Sequence, residues 1–146
     1  MLSKEVLIER VGAAVANANN TDQNSTILDM EGWEGVVFMV TVTDSVQGGV
    51  ATLKAEGNTA NSDAGMAAYT GASAAKTSAG NDDLNDKTLI LDVYRPSKRY
   101  IQAVITSATQ NIAFGETWAI RYRGRVAPIT ASSGTLTHTA VVSPAS

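Results

Sequence analysis

Asn81, Asp82, Asp83, Asn85 and Asp86 set oxygen-bearing side chains at nearly successive positions, the kind of ligand density that a calcium loop uses. Lys87 follows at once, the glycine needed for the sharp turn is missing, and no glutamate closes a twelve-residue pattern, so the cluster reads as a solvated turn. Asp29, Glu31 and Glu34 are close enough in sequence for paired-carboxylate work on a glycosidic bond, but they bracket a turn, where acids serve solubility. The one histidine, His138, has no acid within ten residues on either side and reads as an exposed tail residue, not a base. No G-x-S-x-G, H-E-x-x-H or P-loop spacing occurs. Cysteine is absent, which removes thiolate nucleophiles, Cys-based zinc sites and disulfides. The expectation is a non-enzymatic chain with no catalytic residue, cofactor or metal.

Binding chemistry is better represented. Arg95, Lys98, Arg99, Arg121, Arg123 and Arg125, with Tyr94, Tyr100 and Tyr122, supply the residue types of a nucleic-acid surface. The overall balance is acidic, with a formal net charge of −3 and a pI near 5.0, which argues against a dedicated nucleic-acid binder. Docking on an acidic protein surface is the more economical use of that basic stripe. Charge is also unevenly placed: residues 1–94 hold five Lys/Arg against thirteen Asp/Glu, and residues 95–146 hold six against one. Either the chain has two oppositely charged surfaces, or early and late strands interleave and neutralise each other. Trp33 and Trp118 have the rings to stack on a sugar or base, but Trp118 alternates with core positions and Trp33 sits between glycines where it can cap a core.

Strands must position these groups. Val36, Phe38, Val40 and Val42 alternate with Val37, Met39, Thr41 and Thr43, the period of a central strand. Ser25 to Met30 reads as a short strand before it, and Gly48-Gly49 after it turns the chain into Val50 to Glu56, where Ala51, Leu53 and Ala55 share a face; this pair reads as a hairpin. Leu89, Leu91 and Val93 form one apolar row and Ile101, Ala103 and Ile105 another, folded back across Arg95-Pro-Ser-Lys98. Thr117 to Arg123 alternates Trp118, Ile120 and Tyr122 against Ala119, Arg121 and Arg123, a strand half buried and half basic. Between Gly57 and Asp86 small polar residues dominate, and Met66 to Thr70 is expected to pair at an edge, since a loop of about thirty residues is unusual in a compact domain.

The N-terminal Val6 to Val15 fits helix or strand spacing, and Gly12 with Asn17-Ala-Asn-Asn20 favours a strand. The opening charges at Lys4, Glu5, Glu9 and Arg10 interrupt any secretory core, and no run reaches a membrane span, so a soluble protein acting where it is made is expected. Ala127-Pro-Ile129 closes the last strand, and Thr130 to Ser146 is a Ser/Thr/Ala tail carrying Leu136, Val141 and Val142, suited to adding a strand to a neighbour. The fold expected is all-β: an antiparallel sandwich or jelly roll over 1–129, with an extended arm over 130–146. A chain of 146 residues can bury such a core as a single domain.

Three segments carry a resemblance: Met1-Leu-Ser-Lys-Glu5 with Arg10-Val-Gly12, Ile27-Leu-Asp-Met-Glu-Gly-Trp-Glu-Gly-Val-Val-Phe38, and Leu91-Asp-Val-Tyr-Arg-Pro-Ser-Lys-Arg-Tyr-Ile101, with Val142-Ser-Pro-Ala145 in agreement. Together they resemble small virion structural proteins of tailed bacteriophages, of the capsid decoration (cement) kind. That resemblance implies a β-rich domain made in the host cytoplasm and seated on the outer surface of the phage head. It also implies bridging of major capsid protein subunits and self-association, with a trimer favoured. On this reading the basic stripe (Arg95, Lys98, Arg99, Arg121, Arg123, Arg125) and the tail residues Leu136, Val141 and Val142 meet partners. A head-tail or tail component of the same virion, and a carbohydrate-binding module exposing Trp33 and Tyr69 on a flat face, are the alternatives.

Overall fold

The computed structural model describes residues 1–125 and 129–142. The Ala127-Pro128 close of the last strand, and the tail beyond Val142, lie outside the described residues. After a short 3-10 turn at Leu2–Lys4, the strands are β1 (Val6–Gly12), β2 (Val15–Ala18), β3 (Thr21–Asn24), β4 (Leu28–Asp29), β5 (Gly35–Ser45), β6 (Val50–Asn58), β7 (Ala67–Thr77), β8 (Thr88–Tyr94), β9 (Tyr100–Ala108) and β10 (Ile112–Tyr122). The first sheet runs β1-β10-β5-β8, with β2 continuing the β1 edge along β10; the second runs β3-β9-β6-β7, with β4 continuing the β3 edge along β9. Every described pairing is antiparallel.

Apart from the β6–β7 pair and the breaks within the two composite edges, each connection passes from one sheet to the other. That alternation makes the sandwich a jelly roll. The apolar rows read from the sequence meet between the sheets: Val36, Phe38, Val40 and Val42 from β5 face Ala51, Leu53 and Ala55 from β6 and Ile101, Ala103 and Ile105 from β9. The N-terminal segment is a strand, and the weak region beyond Gly57 provides the edge strand β7.

Two expected hairpins are corrected. β5 and β6 do not pair across Gly48-Gly49, and β8 and β9 do not pair across the Arg95–Arg99 corner; each turn carries the chain between sheets. The apolar rows are right in both cases, because a row can face the same core from either sheet.

The facing of the last strand is corrected too. Ile112 and Phe114 point inward, but after an irregularity between Phe114 and Thr117 the inward residues are Thr117, Ala119 and Arg121. The extra residue of that β-bulge switches parity, so Trp118, Ile120 and Tyr122 face outward. Trp118 is 40% exposed instead of in the core.

Candidate docking surface

The β8–β9 corner and the loop between β4 and β5 close one end of the sandwich, and they hold each other through the backbone. Met30 N donates to Arg99 O at 2.8 Å, and Arg95 N donates to Glu34 O at 2.7 Å. Arg95 takes a left-handed φ of 51° at this turn. The side chains then pair across the same seam. Arg99 donates Nε and Nη2 to the two oxygens of Asp29 at 3.0 and 2.9 Å, and Nη2 lies 2.7 Å from Glu31. Glu34 is clamped by Arg95 and Arg123, each at 3.3 Å.

This pairing sets the local protonation chemistry. Hydrogen bonding from Arg99, then from the Glu31 backbone N–H, holds the Asp29 carboxyl below its ordinary value. Hydrogen bonds from Arg123 and then Arg95 do the same for Glu34. Arg99 and Arg123 are pushed further into their charged forms by the same carboxylates. The acids that sequence spacing offered for glycosidic work are thus neutralised partners of arginines.

Arg121 belongs to a different environment. Its inward-facing side chain is 13% exposed, pairs with Glu9 of β1, donates Nη1 to Asp29 O at 2.8 Å, and lies over the Trp33 ring at 5.5 Å. Its Nε is buried with no hydrogen-bond partner. A guanidinium so enclosed pins β10, β1 and the loop after β4 together. Of the six predicted contact cations, Arg95, Arg99, Arg121 and Arg123 therefore hold carboxylates of the acidic half. Lys98 and Arg125 are exposed and make no ion pair among the described residues. The basic side of the charge asymmetry is largely spent inside one chain, in the sense of the interleaving reading, while most carboxylates of residues 1–94 have no ion-pair partner from residues 95–125.

Aromatic rings are also used internally. Trp33 and Tyr69 pack against the core instead of forming a flat exposed face. Tyr69 Oη accepts from Lys98 N at 3.2 Å, and burial pushes its hydroxyl pKa up. Tyr122 donates to Asp92 at 2.6 Å, and burial followed by that hydrogen bond raises its pKa strongly. In the Asn81–Asp86 segment the polar groups cap turns: Asn81 accepts from Gln47 N, Asp83 from Ala79 N, and Asn85 from Ser45 Oγ, while Leu84 plugs into the core. No group of three metal-ligating side chains occurs among the described residues.

The tail over residues 129–142 has no strand and lies beside β1 of its own chain. Ile129 N donates to Lys4 O at 2.8 Å. Leu136 projects fully into solvent, and Val141 and Val142 are exposed. His138, expected to be exposed, is half-buried in the groove between the tail and β1, its Nε2 without a hydrogen-bond partner.

One surface escaped the sequence reading. On the outer side of the first sheet, Ile8, Trp118 and Ile90 are exposed beside the half-buried Val37, Met39 and Ile120. The signal was the unbroken Leu89-Ile-Leu91 run, in which both faces of one strand are apolar.

No known protein-family profile and no curated protein matches the chain. Among solved structures, one chain described as "Bacillus endospore appendages form a novel family of disulfide-linked pili" is similar at a TM-score of 0.49 and 11% identity, over 82% of this chain and 88% of that one. A likeness at that level carries no argument about what this chain does.

Proposed function

We propose that the chain is a non-enzymatic virion structural protein of the phage capsid decoration type, binding the outer head surface and bridging major capsid subunits. The observation that carries this reading is the corner. The two longest segments that support the resemblance, Ile27–Phe38 and Leu91–Ile101, converge on one end of the sandwich and hold each other by backbone and side-chain bonds. That end presents Lys98 and Arg125, exposed and without an ion pair among the described residues, on a rim held by backbone bonds, a geometry suited to docking across a joint between subunits.

The test is binding of the full chain to purified heads lacking it. Saturable, salt-sensitive binding with density on the head lattice is expected, and Lys98→Glu with Arg125→Glu should weaken it on the order of tenfold. No binding to heads, or density confined to the tail, would overturn the reading. Binding unchanged in the double variant would remove the corner from it.

A further inference from the structure

The two outer faces of the sandwich differ in kind. On the second sheet, the outward rows read Asp22, Thr106, Thr52, Ala75 and then Asn24, Val104, Lys54, Ser73 across the strands. On the first sheet they read Arg10, Trp118, Met39, Ile90 and then Ile8, Ile120, Val37, Asp92. An antiparallel sheet with one solvated face normally alternates apolar-in and polar-out, as the second sheet does. The first breaks that rule with six contiguous apolar side chains, of which Ile90 is 59% and Ile8 42% exposed. A patch of this kind on a monomer marks a contact surface.

We infer that this face packs against a second copy of the chain. The inference rests on the reading of the chain as a structural contact protein and assigns its self-contact.

Charge favours a like partner. The centre of the patch is neutral; at its rim the exposed Arg10, 3.7 Å from Glu116, stands on the β1 side, and Asp92, which accepts from Tyr122, on the β8 side. Setting the β1 edge of one copy over the β8 edge of another brings unlike charges together while the apolar rows cover each other, so the face complements itself. A strongly charged partner surface would meet no matching field there.

Area sets what else must join the contact. Four strands about 4.8 Å apart, with two outward rows covering about four residues each rising 3.4 Å, span roughly 260 Å². That is about a third of the roughly 800 Å² per partner of a standard interface. The exposed Met1, Leu2 and Val141, which border the same surface beside Ile8 and Ile120, extend it toward the size required.

Light scattering on the full chain during size-exclusion chromatography tests this. The wild type should elute at twice 15.2 kDa or a higher whole multiple, and the Ile8→Lys, Ile90→Lys double variant at 15.2 kDa with an unchanged melting curve, since both positions already face solvent. Arg10→Asp or Asp92→Arg alone should weaken association on the order of tenfold, and the two together should recover most of it. A monomeric wild type, or a lysine variant that keeps the wild-type mass, overturns the inference. So does a monomeric wild type whose binding to heads is abolished by the same lysines, which would give the face to the lattice. A chain that self-associates through this face yet binds no head would sink the decoration reading alone.

Discussion

Replacing Arg121 by alanine strands Glu9, whose side chain is only 18% exposed, and removes the donor to Asp29 O. Stability should fall by about 2–4 kcal/mol, because an uncompensated, mostly buried charge costs more than the pair contributes. Urea unfolding at neutral pH measures it, and a loss comparable to that of an exposed cation such as Lys98→Ala would contradict the structural role. The Asp29 and Glu34 carboxyls are held below their ordinary values of 3.8 and 4.5, so their contribution is full above those values and is lost as pH falls through the lower folded ones. Tyr122 has the opposite sign: its raised folded value gives a contribution that is full below 10.0 and declines as pH rises beyond it. Denaturant midpoints measured against pH should drop at both ends, and Asp29→Asn with Glu34→Gln should flatten the acid limb. Gly57 lies beneath the Tyr69 hydroxyl, where an added methyl would overlap the ring end. Gly57→Ala should cost about 1–3 kcal/mol by overpacking, and Tyr69→Phe should not relieve it fully, since the ring edge also approaches.

Elements show how far local pattern reaches. The positions of β5, β6, β8 and β9 are legible because each carries an apolar row at every second residue, a period that pleating imposes, inside a β-branched or turn-bounded run. Their partners are not legible, since the row Leu89, Leu91, Val93 satisfies its burial equally whether β8 pairs with β9 or faces it from the opposite sheet. β10 was legible as a strand and misread in its facing. One extra residue around Gly115-Glu116 moves every later side chain to the other face, and alternation alone does not locate the bulge. Removing that residue by deleting Glu116 should drive Trp118 and Ile120 inward and expose Ala119. Tryptophan emission would report it as a blue shift together with a loss of stability, and an unchanged spectrum and melting curve would show that the bulge can migrate.

For the whole molecule, the proposed reading makes the tail an arm apart from the sandwich. Residues 129–142 add no strand, so truncation after Ile129 should leave the melting temperature within about 2 °C while weakening self-association and head binding. Calorimetry and light scattering on the truncated chain check both halves of that expectation, and unchanged assembly would remove the arm from the account. The sequence by itself determined that the chain is built from strands, which rows of β5, β6, β8 and β9 face the core, and which residue types gather at the corner. It could not determine that Arg95, Arg99 and Arg121 are held by carboxylates 61, 70 and 112 positions away, or that an apolar row lies open on the first sheet. Alternation is a local consequence of backbone pleating, so it is written in neighbouring residues. Charge neutralisation and exposure depend on which strands become neighbours in space, and only the jelly-roll topology decides that.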